Sequence, residues 1–134
     1  MAKKQVVCDT DVLIDYWDTF SKRHDLTKKT LEQEIGLDNI VISAITKMEL
    51  LIGAGNKEDE IKIKNKLLRF NVALINNDIT KEAIELLEKY RLSHGLAIPD
   101  SLIAATVNIT GLDLFTYNVK DYRFIKGLKL YGKK

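Results

Sequence analysis

Acidic side chains in this sequence lie next to residues with the pattern of a hydrophobic core. Asp9 and Asp11 fall inside the apolar run VVCDTDVLIDY, residues 6–16, directly after a short strand pattern. Carboxylates are rarely placed against a core unless another group pairs with them. The chemistry of this stretch therefore depends on what neutralises Asp9 and Asp11.

Two further acids, Glu49 and Asp100, also lack a local partner. The residues one helical turn from Glu49 on either side are uncharged, so no ion pair along the helix accounts for it. Asp100 precedes SLIAATVNIT, which contains no charge and predicts a buried helix. Because the helix dipole favours a carboxylate in the first turn, a structural role alone would also explain Asp100.

The segment TYNVKDY, residues 116–122, supplies more polar groups directly after a strand pattern. Thr116 and Asn118 can face the same side of the chain, and Asp121 follows one turn later. Taken alone, this is the composition of an ordinary polar loop.

Short strand patterns alternate with helical ones along the chain. This alternation predicts an α/β fold in three layers, with a parallel sheet of about four to five short strands flanked by helices. No linker or repeat divides residues 1–134, so we expect a single domain. The expected strands are 5–8, 39–43, 71–75, 112–117 and 128–131. One expected helix begins near residue 12, and four others cover residues 44–52, 57–70, 78–94 and 99–110.

These elements can bring the separate acids together. In a parallel α/β sheet, ligands bind outside the carboxyl ends of the strands, which is where Asp9 lies and where Asp11 can reach. Carboxylates that converge in a poorly solvated crevice repel one another unless a cation joins them. Oxygen ligands without a set of histidines or cysteines favour a hard ion, Mg²⁺ or Mn²⁺. We interpret His24 and His94 as surface residues.

The overall composition is globular, with 46% hydrophobic residues, 30% charged residues and a net charge of +2. The single cysteine, Cys8, and the lack of a long apolar run or signal-peptide pattern predict a cytoplasmic location and no membrane partner. The charge is uneven, because residues 120–134 hold six basic residues and one acid, Asp121. This segment is suited to contacting the backbone of a polyanion, although a solvated tail has the same composition.

Four motifs resemble, in order and spacing, the PIN domain, specifically the VapC-type ribonucleases of toxin–antitoxin pairs. They are DTDVLIDY, SAITKMELLIG, IPDSLIAAT and LFTYNVKDY, and the resemblance covers nearly the whole chain. By this resemblance Asp9, Glu49 and Asp100 take the family's acidic positions. The remaining matches are Asn118, where many members have a fourth acid, Thr116 as the accompanying hydroxyl, Asp121 as a nearby carboxylate, and Asp11, where asparagine or serine is also common.

The resemblance implies a metal-dependent endoribonuclease that hydrolyses RNA phosphodiesters. Asp9 and Asp100 would be direct ligands of Mg²⁺ or Mn²⁺, with Glu49 and Asp121 completing the site directly or through water. The resemblance also implies a cognate antitoxin protein and a homodimer. The residues add a modest motive for the dimer, because the amphipathic segment 57–70 and the apolar GLDNIVIS region predict uncovered apolar surface.

Two other classes of protein match part of the pattern. DTDVL also resembles the DxD motif of haloacid-dehalogenase-like phosphatases, in which Asp9 would be the nucleophile and Asp11 the general acid, but this leaves Glu49 without a role. A non-catalytic, receiver-like signalling domain would share the fold and the acidic pocket. It requires a lysine after the last strand, which the sequence Thr116-Tyr117-Asn118 does not supply.

Overall fold

A four-stranded parallel sheet forms the centre of the molecule, as the sequence predicts. The structure is a computed structural model that describes residues 4–132, so Lys133 and Lys134 of the basic segment lie outside the described residues. The strands are β1 (Val6–Cys8), β2 (Ile40–Ser43), β3 (Asn71–Ala73) and β4 (Asp113–Phe115). The α-helices are α1 (Thr10–Trp17), α2 (His24–Lys29), α3 (Ala44–Ile52), α4 (Lys57–Leu67), α5 (Asn77–His94) and α6 (Ile98–Thr110).

The order of the strands in the sheet is β3-β2-β1-β4. The chain moves outward from β1 to β3 and then crosses back to place β4 on the other side of β1. The pairs Val7↔Leu114 and Cys8↔Phe115 fix this register. The reversal creates a topological switch point between β1 and β4, and a crevice at their carboxyl ends is the expected ligand site.

Alternating side chains of the strands separate two hydrophobic layers. On one face, Val7 and Leu114 pack in a cluster with residues of α5 and α6, including Leu86 and Ile103. On the other face, Cys8 belongs to a second cluster that residues of α1, α3, α4 and the segment after α2 complete. The sheet is therefore covered on both sides, which gives the predicted three layers.

Side chains of the expected types begin several helices. Ser43 caps α3, because its hydroxyl accepts a hydrogen bond from the Ile45 N–H at 3.1 Å. Asp9 caps α1 in the same way and accepts from the Thr10 N–H at 2.8 Å. Gly111 ends α6 in the left-handed region at φ 73°, where a residue with a Cβ is strained. Within residues 4–132, no helix is both long and apolar enough to cross a bilayer.

The structure departs from the expected elements in three segments. Residues 128–131 form only an isolated bridge, Leu114↔Leu130, because Gly127 and Gly132 have positive φ on either side and leave too few residues for a strand. The apolar part of GLDNIVIS is strand β2, which is buried in the sheet, so the expectation that it offers uncovered surface is wrong. Helix α2 continues into a π-helical segment, Thr30–Ile35, followed by a 3-10 turn, Leu37–Asn39, none of which we predicted.

Candidate active site

Asp9 lies at the carboxyl end of β1 and is only 5% exposed. Its backbone N–H donates to the carbonyl of Phe115 at 2.9 Å, which holds it against the end of β4. Its Oδ2 accepts a hydrogen bond from the Thr116 hydroxyl at 2.8 Å. The Asn118 N–H donates in turn to the Thr116 oxygen at 3.0 Å, so the proton of that hydroxyl is directed at Asp9. The two predicted positions Asp9 and Thr116 are thus in direct contact.

Tyr122 adds a buried hydroxyl to the same pocket and is 1% exposed. This hydroxyl donates to Asp100 Oδ1 at 3.1 Å and also lies within hydrogen-bonding reach of Asp9. Burial, followed by the charges of Asp9 and Asp100, raises the pKa of Tyr122 far above its usual value. The hydroxyl therefore stays protonated and acts as an uncharged donor between two carboxylates.

The acids of the pocket act on one another electrostatically. Burial and then the charge of Asp11 raise the pKa of Asp9 from 3.8 to about 6, although hydrogen bonds from Thr116, Thr10 and Tyr122 oppose the rise. Burial also raises the pKa of Asp100, with further contributions from the charges of Asp9, Asp121 and Glu49. Carboxylates from four distant segments of the chain are therefore close enough to repel one another.

Glu49 reaches the pocket from α3 and is held by a hydroxyl of α1. The Thr10 hydroxyl donates to Glu49 Oε1 at 2.7 Å and lies 3.0 Å from the Thr46 hydroxyl. Glu49 itself is exposed to solvent. It therefore forms the open rim of the pocket, whereas Asp9 lies at its base.

Asp121 and Asn118 lie on the loop after β4. Asp121 is part of a 3-10 turn, Val119–Asp121, and its charge contributes to the raised pKa of Asp100. Asn118 is exposed, and its backbone N–H, rather than its side-chain amide, makes the contact with Thr116. The amide group is consequently available to solvent at the edge of the pocket.

Asp11 faces a different neighbourhood from the other acids. Its Oδ2 accepts from the Tyr117 N–H at 3.0 Å, whereas its buried Oδ1 has no partner in the described part of the chain. Burial raises the pKa of Asp11 overall, and the charge of Arg23 partly opposes this rise. The Arg23 guanidinium also forms an ion pair with Asp15 at 3.1 Å. The Asp11 carboxylate ties α1 to the loop after β4, and its charge reaches the pocket only through its effect on Asp9.

Sequence reasoning missed three hydroxyl groups that organise the acids: Thr10, Thr46 and Tyr122. Thr10 directly follows Asp9 in a motif that was already of interest, and its place in the first turn of α1 was a usable signal. Tyr122 is the final residue of TYNVKDY, but an aromatic residue at that spacing is most simply interpreted as part of the core. Its second role depends on the direction of its hydroxyl, which only the fold determines.

The donor set of the pocket is chemically suited to a hard divalent cation, because all its side-chain donors are oxygen atoms and the acids are charged and crowded. Within residues 4–132, however, no three acidic, histidine or cysteine side chains are already arranged to enclose an ion. The Tyr122 hydroxyl lies between Asp9 and Asp100 and helps to keep their carboxylates apart. A metal would have to draw the carboxylates together.

The fold and this pocket define an α/β domain with clustered acids at the switch point of a parallel sheet. The model of the family described as "PIN domain" matches residues 6–126. Ribonuclease VapC10 of Mycobacterium tuberculosis is 31% identical over 91 residues, which cover 67% of this chain and 68% of that protein. Ribonuclease VapC19 of the same organism is 33% identical over 94 residues, covering 69% and 74% respectively.

Solved structures share the whole fold. A toxin–antitoxin complex from Klebsiella pneumoniae contains a chain that is 29% identical to this one and superposes with a TM-score of 0.72, covering 92% of this chain and 95% of the other. The match to the PIN-domain family model extends from β1 past the 3-10 turn that carries Asp121. This chain belongs to the PIN-domain family.

Proposed function

We propose that this protein is a divalent-metal-dependent endoribonuclease and the toxin of a toxin–antitoxin pair. The observation that carries the proposal is the position of Asp100 at the switch point of a PIN-family fold. It accepts a hydrogen bond from Tyr122 and lies close enough to Asp9, Asp121 and Glu49 for their charges to raise its pKa. The similarity to two proteins named as ribonucleases supports RNA as the substrate.

In this proposal Asp9 and Asp100 would hold the ion, Mg²⁺ or Mn²⁺, and Glu49 and Asp121 would complete its environment directly or through water. When bound, the ion would supply Lewis acidity towards the phosphate and the attacking water. Thr116 fixes the orientation of Asp9 by donating to Oδ2. The amide of Asn118, which is exposed, would donate to a phosphate oxygen without adding charge to the pocket.

The geometry weighs against a phosphatase of the haloacid dehalogenase type. Such an enzyme would require Asp11 to present a proton to the substrate beside Asp9. Asp11 instead accepts from the Tyr117 N–H, and its other oxygen is buried. A receiver-like domain is disfavoured because the residues that follow β4, Thr116 to Asn118, include no lysine.

An apolar groove between α1, α3 and α4 supports an antitoxin as the protein partner. It begins at Glu49, on the rim of the acidic pocket, and continues over hydrophobic side chains. A segment of an antitoxin could therefore cover apolar surface and block the pocket at the same time. The chain from Klebsiella is similar to this one and was solved in a toxin–antitoxin complex. The residues that line the groove are Ile14, Trp17, Asp18, Glu49, Leu50, Gly53 and Ile63.

Cleavage of RNA in the presence and absence of metal tests the proposed activity. Purified protein is incubated with total RNA and with tRNA in Mg²⁺, in Mn²⁺ and in excess chelator, with Asp9→Ala as the control for contaminating nuclease. We expect cleavage by the wild type in one or both metals and none in chelator or by the variant. Cleavage that persists through thorough chelation would rule out the mechanism.

A further inference from the structure

A cluster of three aromatic rings lies on the surface where the end of α5 meets the segment that follows Tyr122. The His94 and Phe124 rings are stacked, with centroids 4.4 Å apart and planes at 9°. Tyr90 meets both rings edge-on, at 5.9 Å from His94 and 5.3 Å from Phe124. His94 is nevertheless exposed to solvent, so the stack leaves part of its ring uncovered.

The cluster is held in one arrangement. The Ser93 hydroxyl lies 2.7 Å from His94 Nδ1, which restrains the rotation of the exposed ring. The Tyr90 hydroxyl accepts a hydrogen bond from the Lys126 N–H at 3.1 Å and fastens α5 to the C-terminal segment. A planar group that stacks on His94 would meet a surface that is already ordered, which lowers the entropic cost of binding.

The surroundings of the stack are cationic. Arg91 lies one helical turn before His94 on α5, and Arg123 adjoins Phe124. Both cations are exposed, and neither forms an ion pair with another described residue. The Lys126 side chain is not part of this surface, because it lines a cavity with Glu82 and Gly111 near the other end of α6. The two arginines can therefore contact the phosphates of a polyanion.

The stack is also close to the proposed reaction centre. Phe124 is two residues after Tyr122, whose hydroxyl contacts Asp100, so their Cα atoms are at most about 7 Å apart. On the other side, only residues 95–97 separate His94 from α6, whose first turn carries Asp100. The two segments that carry the rings therefore adjoin Tyr122 and Asp100, and a strand of RNA bound at the acids would extend towards the rings.

We propose that His94 and Phe124 form a base-stacking subsite for an unpaired nucleotide of the RNA substrate, with Arg91 and Arg123 contacting the flanking phosphates. The inference rests on the proposed nuclease function and specifies its substrate. A base can stack on His94 only when it is free of a duplex, so the cleaved position lies beside an unpaired nucleotide.

Binding in chelator separates stacking from charge. A fluorescein-labelled single-stranded oligoadenylate and competing inorganic polyphosphate are the two probes, and anisotropy gives the affinity for each. We expect His94→Ala to weaken oligoadenylate binding by about 5- to 150-fold, the range for one base–aromatic stack, and to leave polyphosphate binding unchanged. His94→Tyr, which keeps a ring, should restore most of the loss. Leu92→Ala, two residues away and 98% exposed in the wild type, is the matched control and should change neither probe.

The double variant Arg91→Gln with Arg123→Gln should weaken binding of both probes and reduce the salt dependence of RNA binding, with a slope lower by about 0.7 per lost phosphate contact. In cleavage assays with metal, His94→Ala should raise KM with little change in kcat. If wild-type protein cleaves RNA and His94→Ala keeps its affinity and KM, the subsite is disproved while the nuclease function stands. Equal loss of both probes in His94→Ala, or a loss only of antitoxin binding, would also overturn it. A wild type that neither binds nor cleaves RNA would overturn both.

Discussion

The Tyr122 hydroxyl lies between Asp9 and Asp100 and can donate a hydrogen bond to either carboxylate without carrying a charge. Asp9 is buried and Asp100 is half-buried, so both carboxylates lose solvation. Hydrogen bonds to charged groups compensate for more of that loss than hydrogen bonds between neutral groups. The hydroxyl has one proton and can donate it to only one carboxylate at a time. A cation would contact both carboxylates, so the hydroxyl contributes most to stability when no metal is bound.

Replacing Tyr122 with phenylalanine tests this role. In chelator we expect Tyr122→Phe to lower the free energy of unfolding by about 1–3 kcal/mol, because two crowded carboxylates lose their shared donor. Saturating Mg²⁺ should reduce this loss. Urea unfolding of both proteins measures it, and Tyr16→Phe, which removes a donor to the exposed Glu32, is the matched control. A loss that is equal with and without Mg²⁺ would mean that the hydroxyl does not act through the crowding of the two carboxylates.

The raised pKa of Asp9 predicts a dependence of stability on pH in the metal-free protein. Because the folded-state pKa of about 6 lies above the ordinary value of 3.8, ionised Asp9 destabilises the fold. This cost is absent below about pH 4, grows between pH 4 and 6, and is complete above pH 6, where it is on the order of 3 kcal/mol.

Comparison of wild type with Asp9→Asn isolates that cost. Between pH 4 and pH 7.5, in chelator, the difference in free energy of unfolding should shift in favour of the variant, because asparagine cannot ionise. Thermal or urea unfolding at both pH values measures the shift. Asp25→Asn, on the surface of α2, controls for the loss of one negative charge. A constant difference between wild type and Asp9→Asn would contradict the raised pKa.

At the level of elements, Asp11 connects α1 to the loop that follows β4. The Tyr117 N–H depends on Asp11 Oδ2 for its acceptor, and that loop carries Thr116 and Asn118 into the pocket. The guanidinium of Arg23 lies 4.3 Å from the centre of the Tyr117 ring, and the Tyr117 hydroxyl contacts that of Thr27. These contacts tie the loop to α1 and α2 outside the acidic pocket.

Two substitutions at Asp11 distinguish the effect of its hydrogen bond with Tyr117 from the effect of its charge. Asp11→Asn keeps an oxygen for the Tyr117 N–H and removes a buried charge, so its stability should equal or exceed that of the wild type. Asp11→Ala leaves the N–H without an acceptor and should cost about 1–3 kcal/mol. Chemical unfolding ranks the three proteins. Equal destabilisation by both variants would mean that the charge itself, and not the hydrogen bond, is required.

At the scale of the whole molecule, exposed apolar side chains support the proposed homodimer. Met48 and Ile52 lie one turn apart on α3, and Ile52 is 82% exposed. Light scattering at micromolar concentration should give twice the 15.3 kDa mass of one chain. Ile52→Lys should shift the mass towards the monomer, whereas Leu92→Lys, at another exposed leucine, should not. A wild type that has the mass of a monomer at these concentrations would contradict the homodimer.

The sequence predicts the alternating elements and the acids because both follow from local patterns. Asp9 ends an apolar strand, and Asp100 opens an uncharged helix, so each is conspicuous without a structure. The segment containing α2 and Thr30–Ile35 escaped prediction because most of its residues are polar, and only Leu31 and Ile35 mark a buried apolar face. The role of Tyr122 and the separation of Asp11 from the other acids depend on side-chain directions, which periodicity does not encode.

The hydrogen bond between Asp9 and Thr116 joins residues that are 107 positions apart. During synthesis on the ribosome, at about 5–20 residues per second, about 5–20 s pass between the addition of the first partner and the second. Strand β1 also lacks β4 as its neighbour throughout that interval. The nascent chain therefore emerges beside ribosomal and messenger RNA with its acidic pocket still unassembled, and the order of synthesis alone delays the appearance of the proposed nuclease activity.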